Sequence, residues 1–452
     1  MCGIFGVLSV EEDASDFCYF GLYALQHRGQ EASGIAVVND NNINFHKDDG
    51  LVNQIFNENI LKNLKGKCAI GHTRYSTTGG LKSLNAQPYV MQTRLGPFAL
   101  VHNGNLVNTK SLLEEYKCQL NGNTDSELIA AILKVKINSG LDFESSLKEV
   151  AEICKGAFSI LIATSDKLYA LRDSYGVRPL LYGYLSGVGW ILSSETCGLN
   201  ILGAKYIDEV KSGEFVSFKT NETPKHIKWK KDTPKLCIFE MIYFSRPDSI
   251  FFGRSLYTYR EKVGEQLAKE SPADVDLIVG VPDSGIPPGI GYSNYSGIPY
   301  SHAIVKNRYI GRTFIQPTHS MRETGVRIKL NPIPDVVFGK RVLLVDDSIV
   351  RGNTSRKLVR LFREAGATEV HMRISSPPVT NPCFYGIDTD TRDQLIASNL
   401  TVNEIEKFIE VDSLAYLSKE GMIKCTLENT DNFCSACFDG NYPIPVDEKV
   451  QL

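Results

Sequence analysis

The sequence predicts two domains of different class, a strand-rich α+β half followed by an α/β half built on a mostly parallel sheet. Three observations predict this. At 452 residues the chain is too long for one ordinary core. The first half reads as short strand-like runs, several of them alternating, with two helical segments among them. The second half carries continuous apolar runs that end in turn residues and lead into helical periodicity, as strands buried on both faces of a parallel sheet do. The clearest is Val342 to Val345, followed by Asp346, Asp347 and a Gly-containing turn. Leu358, Val359, Leu361, Phe362 and Ala365 then share one side of a helix, and Gly366 stands where that helix should stop.

Composition is ordinary for a soluble globular protein, with 42% hydrophobic and 22% charged residues and a formal net charge of -3. No basic excess recruits nucleic acid. No apolar stretch approaches the ~18 to 20 residues that span a bilayer, and no basic region precedes the apolar start MCGIFGVL. The expectation is a cytoplasmic protein with no membrane partner. Eleven cysteines, an odd number scattered over a long chain, argue for reduced thiols rather than a disulfide framework. Neither a P-loop ending in Gly-Lys-Ser/Thr nor a G-x-G-x-x-G occurs.

In the first half, Cys2 directly follows Met1, whose removal exposes an α-amine beside a thiol. A free thiol titrates at ~8.5 and an α-amine at ~7.7 to 8, so the amine can act as the base of the thiol near neutral pH. LQHRGQEASGIAV at 25–37 enters an alternating strand, and GHTRYSTTGG at 71–80 places Arg74 after a short apolar segment. FALVHNGNL at 98–106 reads as a strand ending in an Asn103-Gly104 turn, which would expose an amide and backbone N–H groups suited to an oxyanion. NTDSELIAAIL at 123–133 starts a helix with Thr124 and Glu127 spaced as a capping box. There Asp125 fits equally a first-turn acid favoured by the helix dipole, worth about 0.3 to 1 kcal/mol.

Together CGIFGV, HRGQE, GHTRYST, HNGNL and NTDSE resemble, in order and spacing, the class II glutamine amidotransferases over roughly the first 230 residues. The resemblance implies a four-layer αββα N-terminal-nucleophile (Ntn) hydrolase fold, with Cys2 as nucleophile and its amine as base. It further implies Asn103 and the N–H of Gly104 as oxyanion donors, and Arg74 and Asp125 as partners of the carboxylate and amino group of glutamine. Glu31-Ala32-Ser33-Gly34 departs from the usual family pattern only by a swap of small residues. GAFSILIATSDKLYALRD at 156–173 reads as two alternating strands around a Ser-Asp turn. KHIKWKKDTPK at 225–235 reads as a solvated linker, giving domains 2–232 and 233–452.

In the second half, DLIVGVPDSGIPPGIGY at 276–292 is an apolar strand ending in a turn that could form an anion nest, and IPYSHAIV at 298–305 reads as a third strand. The connection 306–333 is dense in cations: Lys306, Arg308, Arg312, Arg322, Arg327 and Lys329. They suit either a polyphosphate substrate or a merely solvated loop. The stretch Val342 to Ser355 sets a phosphate-favouring helix start beside two acids, which must face sugar hydroxyls or a cation.

Four apolar residues, two Asp, then Ser-x-x-x-Gly-x-Thr resembles the phosphoribosyl pyrophosphate (PRPP) loop of the type I phosphoribosyltransferases. The resemblance implies that Asp346 and Asp347 hold the ribose and reach one Mg²⁺ per subunit. It assigns the 5-phosphate to Ser348, Ile349, Val350, Arg351, Gly352, Asn353, Thr354 and Ser355 and pyrophosphate to the Pro282-Asp283-Ser284-Gly285 turn, with Ser284 near the metal and Lys306, Tyr309 and Arg312 as further PRPP-binding residues. Pro287-Pro288 is a departure that leaves the next helix start open.

CIFEMIYFSRPDSIFFGRS at 237–255 resembles the segment joining the two halves in the amidophosphoribosyltransferases of purine synthesis. That family implies glutamine and PRPP as substrates, purine nucleotides as feedback inhibitors and a homotetramer. By itself Cys434-x-x-Cys437 fits a zinc half-site, a redox pair or nothing. Similarity to the iron-sulfur branch groups Cys237, Cys383, Cys434 and Cys437 around a [4Fe-4S] cluster. Two rival readings are a glutaminase paired with another acceptor, against which the PRPP loop stands, and a PRPP-sensing regulator that binds nucleic acid. The latter needs a basic face, which 49 cations against 52 anions do not supply.

Overall fold

Two antiparallel sheets face each other in the N-terminal half because their strands carry apolar residues on both sides. The computed structural model describes residues 2–11, 13–39, 42–75, 83–307, 330–389 and 391–446. Among these, one sheet has seven strands, in the order Lys205–Glu209, Leu181–Leu185, Gly189–Ser193, Gly3–Ser9, Cys68–Arg74, Ala32–Asn39 and Asn42–Asp49. The other has six: Lys225–Lys228, Glu214–Phe218, Leu168–Arg172, Gly156–Ala163, Gly96–Leu106 and Tyr89–Thr93. Ile4, Ala36 and Ile70 of the first meet Val101, Leu161 and Val216 of the second. Helix Ala14–Ala24 covers the outer face of the first through Cys18 and Leu22, and helices Asp125–Asn138 and Phe143–Ile153 cover the second through Leu128, Ile132 and Leu147. The layers are therefore αββα. Every residue of Gly156–Ala163 is buried, so its alternation separates two cores rather than core from water; even Ser159 lies inside, donating to the carbonyl of Arg178 at 3.0 Å.

Three local expectations are corrected. Asn103-Gly104 makes no turn: the strand runs on to Leu106, pairing Asn103 with Ser159 and Gly104 with Phe158. A Cβ on Gly104 would lie 1.9 Å from the Ala157 carbonyl oxygen, so glycine serves close strand approach rather than reversal. Half of the capping box forms. Thr124 accepts from the N–H of Glu127, but the Glu127 carboxylate accepts from Asn121 and Gly122 instead. The charged stretch 225–235 begins as an edge strand, Lys225–Lys228, and Trp229 is buried against Phe158, so its start closes the sheet and is no linker.

In the C-terminal half four strands, Leu277–Gly280, Arg341–Asp346, Glu369–Ile374 and Ser413–Tyr416, pair in parallel among the described residues. Val279, Leu344, Val370 and Met372 pack on Leu358 and Phe362 of helix Asn353–Glu364. Helices Leu256–Glu270 and Ile286–Ser296 take the other face and approach closely. A Cβ on Gly264 would sit 1.9 Å from the Pro288 carbonyl oxygen. Pro287 and Pro288 fall in the first turn of the second helix, where no N–H is needed. The expected third strand is reduced. Tyr300 makes one bridge to Ile278, and Ile304–Lys306 pairs antiparallel with Leu330–Pro332 outside the main sheet. Ser413–Tyr416 is the edge strand of the parallel sheet among the described residues. No described helix is long and apolar enough to cross a membrane.

Candidate active site

Cys2 enters the strand Gly3–Ser9, and its backbone nitrogen donates to Asn103 Oδ1 at 3.3 Å, while Sγ lies 3.6 Å from the Tyr75 carbonyl oxygen. Asn103 is buried, and its Nδ2 has no hydrogen-bond partner among the described residues. One end of the amide is thus held by the Cys2 backbone and the other is open. Asp125, first residue of its helix, accepts from the N–H of Leu106 at 2.9 Å through Oδ2 and from Ser126 Oγ at 3.4 Å through Oδ1. His102 Nδ1 meets the same Ser126 hydroxyl at 2.9 Å, and burial, only partly offset by Asp125, lowers the His102 pKa. Arg74 closes its strand, buried; burial, then Arg74, hold His72 well below the usual imidazole range. Burial pushes the Tyr89 hydroxyl up to about 12, opposed in part by its 2.7 Å hydrogen bond with the Thr124 hydroxyl.

A loop from the other half lies over this pocket. Asn105 Nδ2 donates to the Phe384 carbonyl at 3.0 Å, the Tyr75 hydroxyl to Asp388 at 3.2 Å, and Arg178 to the Tyr385 carbonyl at 2.9 and 2.6 Å. A Cβ on Gly386 would come within 3.2 Å of the Gly104 carbonyl oxygen.

The second centre forms where the strand Arg341–Asp346 ends. Asp347, 7% exposed, accepts from Ser284 Oγ and Ser348 Oγ, each at 2.6 Å, and Asp346 accepts from the N–H of Asp347 at 2.9 Å. Burial raises both carboxyls; repulsion by Asp347 adds to Asp346, while the Ser284 and Ser348 hydroxyls oppose it at Asp347. Ile349 is buried, Val350 accepts from the N–H of Ile396 at 2.9 Å, and Arg351 bonds Gln394. Gly352 has φ +75°, a conformation that side chains rarely adopt, and a Cβ there would lie 2.7 Å from Ile396 Cδ1. Asn353 and Thr354 open the next helix, exposed. Lys306 pairs with Asp283. Tyr309 and Arg312, with Arg308, Arg322, Arg327 and Lys329, lie outside the described residues.

Cys237 and Cys434 are register partners on adjacent parallel strands, Cys437 follows one turn later, and Cys383 accepts from the N–H of Tyr385 at 3.4 Å. Burial, then repulsion from Cys237, Cys434 and Cys383, push the Cys437 thiol well up, and burial pushes Cys237 up to about 11. The four thiols converge from three segments. Among the described residues no group of three or more His, Cys, Asp or Glu is placed to hold a single metal ion. Of the six cysteines outside this group and Cys2, Cys18, Cys68, Cys154 and Cys197 are buried, whereas Cys118 and Cys425 are half-buried.

Residues 58–237 match the glutamine amidotransferase domain family and residues 259–375 the phosphoribosyl transferase domain family. An amidophosphoribosyltransferase from Synechococcus elongatus is 56% identical, the alignment covering 100% of this chain and 92% of that protein. The chain belongs to the amidophosphoribosyltransferase family. A solved structure described as the allosteric regulatory enzyme of purine biosynthesis superposes with a TM-score of 0.93 at 43% identity, covering 99% of this chain and 97% of that one. The glutamine PRPP amidotransferase of B. subtilis, complexed with ADP and GMP, gives a TM-score of 0.92 at 42% identity, over 99% and 98%.

Reading the sequence missed a buried ionic cluster in this amidophosphoribosyltransferase. Arg28 donates to the Cys2 carbonyl at 2.9 Å, to Glu195, and to both oxygens of Glu240 at 2.9 and 3.1 Å. Arg178 reaches Glu240 at 3.2 Å, and the side chains of Arg28, Arg178, Glu195 and Glu240 are all 0% exposed. Burial opposes ionisation of Glu240, but Arg28 and Arg178 outweigh it and hold its carboxyl below the usual range. A lone acid inside the apolar run Ile238–Ile242 was the available signal.

Proposed function

We propose that this chain hydrolyses glutamine at Cys2 and delivers the ammonia to C1 of PRPP, displacing pyrophosphate and forming 5-phosphoribosylamine, the first step of de novo purine synthesis. The observation that carries this reading is the presence, in one chain, of Cys2 against the open amide of Asn103 and of an acid pair, half-buried Asp346 and buried Asp347, at the Ser348–Ser355 turn.

With Met1 removed, the Cys2 amine takes the thiol proton, and Sγ attacks the side-chain carbonyl of glutamine while its π electrons move to oxygen. Asn103 Nδ2 and the Gly104 N–H donate to that oxyanion. Because Nδ2 lacks a partner beforehand, its bond is gained as charge develops, where it lowers the barrier. Collapse expels ammonia with the proton held by the amine, and water releases glutamate from the thioester. Arg74 takes the carboxylate of glutamine and Asp125 its ammonium, opposite charges in each pair.

At the second centre Asp346 and Asp347 accept from the ribose hydroxyls, backbone N–H groups from Ser348 to Ser355 cradle the 5-phosphate, and the Pro282–Gly285 turn takes pyrophosphate, with Lys306, Tyr309 and Arg312 assigned to PRPP by the family resemblance. Ammonia forms the N–C1 bond as the C1–O bond breaks, its electron pair leaving with pyrophosphate. Two carboxylates beside the Ser284 hydroxyl are an all-oxygen donor set that fits one Mg²⁺, which supplies charge for the leaving oxygens when bound. Cys237, Cys383, Cys434 and Cys437, free thiols gathered beside Arg178, fit a [4Fe-4S] cluster, which when bound clips three distant segments together. The ADP and GMP in the B. subtilis relative support regulation by purine nucleotides. A homotetramer in the cytoplasm completes the reading.

Pyrophosphate release from PRPP, measured with glutamine and with ammonium salt, tests it. Cys2→Ala is expected to abolish the glutamine-dependent reaction while synthesis from ammonia persists. No pyrophosphate with either donor would overturn the assignment.

A further inference from the structure

We propose that Glu240 is a positioning residue of the glutaminase centre, fixing Arg28 and through it the backbone of Cys2. The inference rests on the reading of Cys2 as nucleophile. Arg28 uses Nη1 and Nη2 in a two-pronged pair with Glu240, at 3.1 and 2.9 Å, and turns its Nε to the Cys2 carbonyl at 2.9 Å. Glu240 is held in turn by Arg178 at 3.2 Å and by Ser245 Oγ at 2.9 Å. A planar guanidinium gripped at two nitrogens has its third donor aimed by the same grip.

Cys2 needs such support. It precedes the first paired residue of its strand, Gly3, so Cys2 itself has no ladder partner. Its described backbone partners are Asn103 on the nitrogen and Arg28 on the carbonyl. Loss of the Arg28 bond leaves the Cys2 carbonyl unanchored and loosens the Cys2 backbone that positions Sγ. A buried ion pair with no other task is often replaced by apolar residues of like volume without loss. Here the third donor has a task that no apolar replacement performs. Glu240 also lies between the two matched domain regions, 58–237 and 259–375, in the segment that joins them.

The test is made on the full chain with Glu240→Gln, which keeps shape but loses charge, and Glu240→Asp, which keeps charge but is too short to hold both nitrogens. The readout is the ratio of glutamine-dependent to ammonia-dependent synthesis, with kcat and KM for glutamine. Misplacing a reacting group by about 1 Å costs on the order of 100-fold. The expected result is a fall in that ratio by at least about tenfold, residing in kcat with KM nearly unchanged, and slower alkylation of Cys2 by a glutamine-like diazoketone. Leu267→Ala, a buried truncation in helix Leu256–Glu270, which carries neither Arg28 nor Glu240, controls for general destabilisation and is expected to leave the ratio unchanged. A ratio unaltered in both folded Glu240 variants, while Cys2→Ala abolishes glutamine use, overturns the proposal. Glutamine use that survives Cys2→Ala instead overturns the nucleophile reading, and the proposal with it.

Discussion

Replacing Asn103 by alanine should separate activity from stability, because the two ends of its amide have different partners. Oδ1 accepts from the Cys2 nitrogen at 3.3 Å, a long bond whose loss costs about 0.5 to 1.5 kcal/mol. Nδ2 is buried without a partner, and removing such a group relieves a desolvation penalty of about 1 to 3 kcal/mol. The terms oppose each other, so unfolding free energy should change by no more than about 1 kcal/mol, with either sign. Catalysis should not share that balance. An oxyanion donor removed costs roughly 10² to 10³ in kcat, or about 2.7 to 4 kcal/mol of transition-state stabilisation. The assay is glutamate release from glutamine beside denaturant unfolding of the same preparation. A variant that loses several kcal/mol of stability, or keeps kcat within fivefold, would show that the amide is a structural tie and refute the reasoning.

Asp346→Asn with Asp347→Asn should weaken PRPP binding with either nitrogen donor, since the acids serve the acceptor side; unchanged affinity by calorimetry would leave them without that role. Asp173 is fully enclosed, accepting backbone N–H groups of Phe158, Tyr175 and Val177, yet burial raises its carboxyl to about 6 from 3.8. A raised folded pKa stabilises below the unfolded value and loses that contribution as pH rises through the folded one. Unfolding free energy relative to Asp173→Asn should therefore fall by up to about 3 kcal/mol between pH 4 and 6; a flat difference would contradict the burial argument. Protein isolated without air should be brown, with about four irons per chain, and should lose iron and activity together in air. Colourless, fully active zinc protein would refute the cluster while leaving the transferase reading intact.

Much of the architecture was legible because it is written in local periodicity. The apolar run Val342–Val345 could be a strand buried on both faces and little else, and Gly366 ends the following helix with φ +94°, as its position predicts. The order of CGIFGV, HRGQE, HNGNL and NTDSE marked the amidotransferase half, since motif spacing survives along a chain whatever surrounds it. Misreadings arose where an identical local signal serves two tertiary ends. Asn-Gly is a turn signal in isolation, but at 103–104 the neighbouring strand through Ala157 claims the backbone, and glycine answers a close approach. Lysines at 225–231 look like a linker until the edge strand is seen to need solvated side chains on its open side.

What the sequence alone determined is the set of chemical groups and their order. Only the tertiary structure decided which met. Nothing along the chain relates Arg28 to Glu240, 212 residues on, and only the family resemblance, no spacing rule, joined Cys2 to Asn103, 101 residues on. Buried polar groups must find partners wherever packing brings them, and that packing is set by cores assembled from both halves of the chain. A charge among apolar neighbours can be read as needing a partner; its identity is decided in three dimensions, because the desolvation that demands pairing exists only once the chain has folded.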